Sequence, residues 1–265
     1  MANSTVGKSW SGGWDSWLLA SGSKMSSTNG AIDDGPRLES FVAPVVVPST
    51  PLVIIPARVG SKGIPNKNFR LLAGVSPLDR AIRVVREAGL EPLVSTDAKG
   101  LKIDAEVLYA PAPLHTDICP MIDVVNHAMA VRPGNPVLLV QPSKPLRQAK
   151  HLRLALNLLT PIWDSVVSVT EVPRSHHAIF QMEVTNLGHL RRQGDGFAFP
   201  ATRQSVPPLY VRDGTVYAFW RTRGEPQSLY GERVLPLIIA PEETCALDTP
   251  LDWLVAEARL KSVLL

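Results

Sequence analysis

The chain has 265 residues, of which 45% are apolar and 19% charged, a balance typical of a globular protein and not of a disordered one. Its formal net charge of +3 is compatible with an anionic small-molecule ligand but too small to favour nucleic-acid binding. No apolar run approaches the roughly 18 residues that a membrane span needs. The two cysteines form no CxxC pair, which argues against a disulfide scaffold or structural zinc and predicts a reducing compartment, the cytoplasm.

Residues 1–45 are predicted to form a flexible arm, because they are rich in Ser, Gly and Asn and show no sustained hydrophobic period. Two stretches in the arm imitate nucleotide-binding loops. The segment Gly7-Lys8-Ser9 resembles the end of a Walker A loop, but the earlier glycine that this loop requires is replaced by Ala2. The stretch 11–16 resembles a pyrophosphate-binding loop, but only ten mostly polar residues precede it. We interpret the second stretch as a chance match or the remnant of a fusion.

Residues 46–265 are predicted to form one α/β domain. Short apolar runs predict buried strands at 52–55, 92–95, 136–140 and 165–169, and helical spacing of apolar residues predicts helices at 76–88, 122–131, 150–159 and 249–264. Repeated β-α-β units with short connections predict a mostly parallel sheet covered by helices on both faces. Residues 170–235 interrupt this alternation with prolines, histidines and hairpin-like pieces. We interpret them as a small insert that pairs two protomers.

The segment from Ile54 to Asn68 carries the strongest functional signal. A predicted strand leads into a loop that has two glycines, Gly60 and Gly63. Three cations lie within ten positions of the same loop: Arg58, Lys62 and Lys67. Glycines expose backbone N–H groups, and together with converging cations they can hold a polyphosphate while one phosphoryl group is attacked. Taken alone, the segment could equally be a basic surface loop.

The order of residues in this segment closely resembles the nucleotide-binding signature of the sugar-acid cytidylyltransferases. That family includes the CMP-N-acylneuraminate (CMP-sialic acid) synthetases, their pseudaminate and legionaminate relatives and, more distantly, the CMP-Kdo synthetases. The resemblance continues in order over about residues 50–262, through VSTD at 94–97, LVQPSKPLR at 139–147, DSVVSV at 164–169, DGTVY at 213–217 and LDTPLD at 247–252. Several motifs in the right order are more specific than any one of them.

The resemblance implies a Rossmann-like, glycosyltransferase-A-like nucleotidyltransferase in three layers, acting as a homodimer. It implies transfer of CMP from CTP to the anomeric hydroxyl of a sugar acid, most simply an N-acylneuraminate, with release of pyrophosphate and with Mg²⁺ or Mn²⁺. Catalysis is expected from Arg58, Lys62, Lys67, Gln141 and Asp248, the last also as metal ligand. CTP is expected to contact Ala57, Arg58, Ser61, Lys62, Lys67, Asn68, Ser95 and Gln141, and the sugar acid to contact Gln141, Arg203, Gln204 and Tyr217.

Two positions depart from the family pattern. Ala246 stands where the sialic acid enzymes commonly have the first aspartate of DIDT, so Asp248 alone remains. Lys144 lies in a stretch where the Kdo enzymes supply a second acid, and it could replace part of the metal's charge or repel the metal. The sequence therefore leaves open a nucleotide or sugar-acid binding protein without catalysis. The adjacent His176 and His177 point to opposite faces of an extended segment, which predicts a loop or dimer contact and not a metal site.

Overall fold

The computed structural model describes residues 50–192, 205–221 and 228–262, so the predicted arm lies outside the described residues. Within these ranges no helix combines the length and apolarity needed to cross a membrane. The strands are β1 (Leu52–Pro56), β2 (Pro92–Thr96), β3 (Glu106–Tyr109), β4 (Val137–Leu139), β5 (Ser165–Glu171), β6 (Met182–Val184), β7 (Leu190–Arg192), β8 (Tyr210–Phe219) and β9 (Val234–Ile238). The helices are α1 (Pro77–Glu87), α2 (Met121–Val131), α3 (Ala149–Leu158) and α4 (Pro250–Ser262).

The large sheet has the strand order β3-β2-β1-β4-β8-β5-β9, and β6 and β7 pair separately as an antiparallel hairpin. Neighbouring strands of the large sheet are parallel except where β8 pairs with β4 and β5. From β1 the chain first moves outward to β2 and β3, then returns to β4 on the other side of β1. A sheet whose strand order reverses in this way opens a crevice beyond the carboxyl ends of β1 and β4.

The alternation of side chains along β1 shows why helices cover both faces of the sheet. Val53 and Ile55 point into a core cluster with the apolar residues of α1 and α3. Leu52 and Ile54 point to the opposite face, into a cluster with the apolar residues of α2. A strand that is apolar at every position can be buried on both sides. The predicted three-layer α/β fold with a mostly parallel sheet is confirmed.

Helix α1 begins and ends as its sequence predicts. The hydroxyl oxygen of Ser76 accepts a hydrogen bond from the backbone N–H of Asp79 at 3.0 Å, and Pro77 occupies the first helical position, where no N–H is needed. Gly89 follows the helix with a φ of 79°, in the left-handed region where glycine carries no steric penalty. Local residues therefore determine both ends of this element.

Three strands of the large sheet were not predicted, namely β3, β8 and β9, the last of which begins within the range 170–235. Strand β3 was not predicted, because it is a four-residue edge strand with partly exposed side chains and no apolar run. Strand β8 lies within the range 170–235 that was predicted as an insert, yet it pairs with β4 and β5 inside the large sheet. That range is therefore too wide. The error arose because β8 contains polar residues and a glycine at 212–215, which locally favour a hairpin.

Candidate active site

A cavity of about 680 Å³ opens beyond the carboxyl ends of β1, β2 and β4. Strand β8 runs in the opposite direction, with Tyr217 opposite Leu139, so its first half also reaches this edge of the sheet. Arg203 and Gln204, predicted to contact the sugar acid, lie outside the described residues. The structure brings the other predicted site residues together in the cavity wall: Ala57, Arg58, Ser61, Lys62, Lys67, Asn68, Ser95, Gln141, Tyr217 and Asp248.

Two cations of the loop that follows β1 (residues 57–68, here called the basic loop) converge on Asp117. Arg58 forms an ion pair with this carboxylate, and Nζ of Lys62 lies 2.8 Å from its second oxygen. Hydrogen bonds from Lys62 and Arg58 hold the pKa of Asp117 below its usual value. Asp117 was not predicted as a site residue, because it lies between β3 and α2 and belongs to none of the motifs. The contact shows that both cations can reach a single anion.

Backbone contacts hold the basic loop against the end of β2. The N–H of Ala57 donates to the carbonyl oxygen of Ser95 at 2.8 Å, and the N–H of Val59 donates to Oδ1 of Asp97 at 2.8 Å. Asn68, predicted to contact the nucleotide, is buried, and its Nδ2 donates to the carbonyl oxygen of Arg58 at 2.9 Å. The observed contact of Asn68 therefore positions the loop backbone.

The hydroxyl of Ser95 is a buried polar group at the cavity. The residue is 3% exposed, and Oγ has no hydrogen-bond partner within the described part of the chain. An unsatisfied buried hydroxyl destabilises a protein by about 1–3 kcal/mol, and a ligand that hydrogen-bonds to it removes that penalty. The next residue contrasts with it, because the hydroxyl of Thr96 donates to the carbonyl oxygen of Ala57. Ser95 is thus suited to hydrogen-bond a bound molecule.

Lys67 and Asp248 join the basic loop to the segment before α4. Nζ of Lys67 donates to the carbonyl oxygen of Leu247 at 2.6 Å and lies 3.5 Å from Oδ1 of Asp248. A Cβ added to Gly63 would lie 2.4 Å from the carbonyl oxygen of Asp248, so the two segments approach too closely for any other residue. The carboxylate of Asp252 accepts the N–H of Asp248 at 3.2 Å and holds this segment in place. The Asp248 side chain itself stays 71% exposed.

Three side chains converge around Gly214 on the opposite wall. A Cβ added there would lie 2.9 Å from Oε1 of Gln141, 3.4 Å from Cε of Lys144 and 3.7 Å from the hydroxyl oxygen of Tyr217. The φ of Gly214 is 78°, which also disfavours other residues. The Tyr217 ring packs edge-on against Tyr230, with 6.2 Å between ring centroids, and burial raises the pKa of its hydroxyl. Glycine at 214 therefore leaves room for both predicted sugar-acid contacts.

A buried pair of opposite charges supports this wall from behind. The guanidinium of Arg147 donates to the carbonyl oxygens of Gln141 and Thr215, and burial lowers its pKa to about 9 although Asp213 opposes the shift. Burial alone would raise the pKa of Asp213. Hydrogen bonds outweigh burial and hold this pKa below its usual value, including one from the N–H of Thr215 at 3.0 Å and one from the Thr244 hydroxyl at 2.8 Å. Arg147 and Asp213 thus position Gln141 and the start of β8.

The acidic residues of the cavity are too few for a metal site built by protein ligands alone. Among the described residues, no group of three or more His, Cys, Asp or Glu side chains could hold a metal ion. The contacts of His177 lie within the segment between β5 and β8. In His177, Nδ1 accepts the N–H of Ile179 at 3.2 Å, and Nε2 lies 3.1 Å from the carbonyl oxygen of Pro207. Both ring nitrogens are therefore engaged within the loop.

Comparison with known proteins identifies the family of this chain. The family model for cytidylyltransferases matches residues 52–197. A CMP-N,N'-diacetyllegionaminic acid synthase of Legionella pneumophila is 32% identical over 222 residues, covering 78% of this chain and 94% of that protein. An N-acylneuraminate cytidylyltransferase of Streptococcus agalactiae is 28% identical over 223 residues, covering 77% of this chain. This chain spans about half the length of the streptococcal protein, since the match covers 52% of it.

Solved structures support the fold. A CMP:2-keto-3-deoxy-manno-octonic acid synthetase in complex with CTP superposes with a TM-score of 0.59 at 17% identity, covering 82% of this chain and all of that one. A 4-diphosphocytidyl-2C-methyl-D-erythritol synthase from Anaerococcus prevotii superposes with a TM-score of 0.53 at 15% identity, covering 80% of this chain and 96% of that one. At these identities the likeness concerns the fold alone. The match to the family model and the similarity to the legionaminic acid synthase show that the chain belongs to the cytidylyltransferase family of nucleotidyltransferases.

Proposed function

We propose that this protein transfers CMP from CTP to the anomeric hydroxyl of an N-acylated sugar acid, of the neuraminate or legionaminate kind. The observation that carries the proposal is the cavity itself. It combines converging cations with a buried, unsatisfied Ser95 hydroxyl, at the crevice where sheets of this type bind ligands. The similarity to a legionaminic acid synthase and to N-acylneuraminate cytidylyltransferases supports this class of acceptor.

The basic loop would bind the triphosphate of CTP. Arg58 and Lys62 already share one carboxylate, and a triphosphate with several negative charges competes for them more strongly than Asp117 does. Ser61 lines the same wall and would donate its hydroxyl to a phosphate oxygen. The Ser95 hydroxyl would hydrogen-bond to the cytosine. Ala57 would contribute contact surface to the base, because its N–H is already donated to a backbone carbonyl.

The sugar acid would lie against the wall around Gly214. Gln141 and Tyr217 offer an amide and a hydroxyl there, and the resemblance adds Arg203 and Gln204, with Arg203 suited to hold a carboxylate by two hydrogen bonds. In the reaction, the anomeric oxygen forms a bond to the α-phosphorus while the bond to the β-phosphate oxygen breaks. Pyrophosphate leaves and the hydroxyl proton passes to water. The residues would act mainly by orienting the two substrates and by balancing negative charge.

Asp248 fits the part of a magnesium ligand. Mg²⁺ in nucleotide sites is held by one or two carboxylates together with phosphate oxygens and water, so an exposed carboxylate beside the phosphate-binding cations is a suitable donor. Mn²⁺ suits the same oxygen ligands. When bound, the ion would neutralise charge on the triphosphate and favour departure of pyrophosphate. Lys67, 3.5 Å from Oδ1 of Asp248, would balance the carboxylate and hold it toward the nucleotide.

We also propose that the protein forms a homodimer through the hairpin of β6 and β7. Exposed apolar side chains cluster in this short segment, with Val184 71% exposed and Leu187 81% exposed, a pattern that favours burial against a second copy. Sedimentation of the protein and of a Leu187→Asp variant tests the dimer, since a charge in an apolar interface shifts the equilibrium to monomer. Identical sedimentation as a monomer in both proteins would overturn the proposal.

Two unpaired cysteines support a cytoplasmic location.

Pyrophosphate release from CTP tests the proposed reaction. The panel consists of N-acetylneuraminate, legionaminate, pseudaminate and Kdo, each with Mg²⁺ and each compared with CTP alone. Release that depends on one sugar acid supports the transfer and identifies the acceptor. CTP binding without release from any sugar acid would instead favour a non-catalytic nucleotide-binding protein, for which the uncharged Ala246 is the supporting observation.

Asp248→Ala tests the role of the remaining acid. The variant is expected to abolish turnover and to leave the melting temperature nearly unchanged, because the side chain is 71% exposed. Thermal unfolding and the pyrophosphate assay measure the two effects separately. A turnover rate equal to that of the unmodified protein would remove Asp248 from the site.

A further inference from the structure

Lys144 is a cation of the cavity wall for which the proposed reaction assigns no role. Its backbone N–H donates to the carbonyl oxygen of Gln141 at 3.3 Å, in a turn that follows β4, and its side chain is half-buried in the cavity. Within residues 50–192, 205–221 and 228–262, the structure shows no hydrogen bond or ion pair of the Lys144 ammonium. A lysine held in a polar cavity without a direct counter-ion is available to a ligand.

Four ionisable groups act on the Lys144 ammonium, and the structure of the described residues shows no hydrogen bond or ion pair between any of them and this ammonium. Burial lowers its pKa, whereas Asp213, Asp248 and Cys245 raise it and Arg147 lowers it further. The Asp213 carboxylate is buried and engaged by other hydrogen bonds, and Asp248 forms an ion pair with Lys67. The neighbouring wall position 246 is alanine and adds no charge. A partly desolvated ammonium therefore faces a cavity whose nearest carboxylates are already engaged.

The position of Lys144 limits which part of the substrates it can bind. Its Cε lies 3.4 Å from the site of a Cβ on Gly214, the same point that Gln141 and Tyr217 approach. This wall is formed by the turn after β4 and by β8, whereas Arg58 of the basic loop pairs with Asp117, which lies between β3 and α2. An anion near Lys144 would therefore lie where the nucleotide and the second substrate meet, and would be distinct from the group bound by Arg58 and Lys62.

We propose that Lys144 binds an oxyanion of the substrates where the nucleotide meets the sugar acid, supplying a fixed positive charge beside Asp248. The inference rests on the proposed function and extends it to a residue in which this chain departs from the family pattern. The oxyanion is either the α-phosphate of the nucleotide or the carboxylate of the acceptor, since both are singly charged groups that accept hydrogen bonds from an ammonium.

Equilibrium titrations without metal test Lys144 separately from turnover. Lys144→Met keeps the length and removes the charge, Lys144→Gln is a second neutral variant, and Lys144→Arg keeps the charge. Lys102→Met is the matched control, because Lys102 is exposed and does not line the cavity. Calorimetry measures the Kd of CTP, CMP and cytidine, and then of the panel sugar acids in the presence of CMP. Thermal melts identify any variant that does not fold.

In both neutral variants we expect the Kd of the substrate whose oxyanion Lys144 binds to increase about 10- to 100-fold, as for loss of a charged hydrogen bond. Lys144→Arg is expected to restore part of the affinity, and Lys102→Met is expected to bind as tightly as the unmodified protein. Equal weakening of CTP and CMP with unchanged cytidine identifies the α-phosphate. Weakening of the sugar acid alone identifies the carboxylate. Neutral variants that are folded and bind all these molecules as tightly as the unmodified protein overturn the proposal. A protein that binds CTP but turns over no sugar acid contradicts the proposed reaction, and the CTP and CMP titrations then decide on Lys144.

Discussion

Replacing Ser95 by alanine is expected to weaken CTP binding without lowering the stability of the protein. The hydroxyl is buried at the cavity and has no partner within the described residues. If the cytosine of CTP supplies that partner, the variant loses one hydrogen bond of about 0.5–1.5 kcal/mol, which is about a 2- to 13-fold weaker Kd. No intramolecular hydrogen bond is lost, so the free energy of unfolding is expected to stay constant or rise by up to about 1 kcal/mol.

Ser165→Ala is the matched control for this prediction. Ser165 is equally buried, but its hydroxyl donates to the carbonyl oxygen of Tyr230, and the residue does not line the cavity. Its removal is expected to lower the free energy of unfolding by about 0.5–1.5 kcal/mol, because it removes a partly buried hydrogen bond, and to leave CTP affinity unchanged. Urea unfolding followed by circular dichroism and calorimetric titration with CTP measure both quantities. Unchanged CTP affinity in Ser95→Ala, with a loss of stability like that of Ser165→Ala, would refute the reasoning.

Two further predictions concern stability. Gly63→Ala is expected to lose about 1–3 kcal/mol of unfolding free energy, because its Cβ would lie 2.4 Å from the carbonyl oxygen of Asp248. Gly60→Ala is the control, because a Cβ at residue 60 would have open space around it. Equal urea midpoints for both variants would contradict the close approach. Burial lowers the pKa of His151 although Glu243 opposes the shift, so the folded state disfavours the proton that the unfolded state binds below pH about 6.5. Stability is therefore expected to fall as the pH decreases from 6.5 toward the lowered pKa, and to fall less in His151→Gln; parallel pH profiles of the two proteins would exclude this cause.

Much of the fold could be predicted because its elements leave local patterns. Strand β1 is apolar at each of its first four positions, as a strand covered on both faces must be, and it was predicted at the right place. Helix α1 has its capping serine, its first-turn proline and its terminal glycine within fifteen positions of sequence. Strand β3 leaves no such pattern, since a short edge strand with partly exposed side chains resembles a loop.

The basic loop could be predicted for the same reason. Arg58, Lys62 and Lys67 lie within ten positions that also contain two glycines, and the motifs after them keep the order of a known family. Family membership was therefore determined by the sequence alone, and the comparisons confirm it. The substrate contacts expected of the predicted site residues, including Arg203 and Gln204, stay predictions.

Only the tertiary structure decided which distant residues complete the cavity. Asp117 meets Arg58 across 59 positions of sequence and Asp248 meets Lys67 across 181, contacts that depend on strand order and on where each connecting segment returns. Strand β8 shows the same limit, because its polar start favours a hairpin locally but becomes a cavity wall once the strand pairs with β4. Local pattern determines elements and contiguous loops, whereas the placement of side chains from separate segments is determined by how the sheet packs them together.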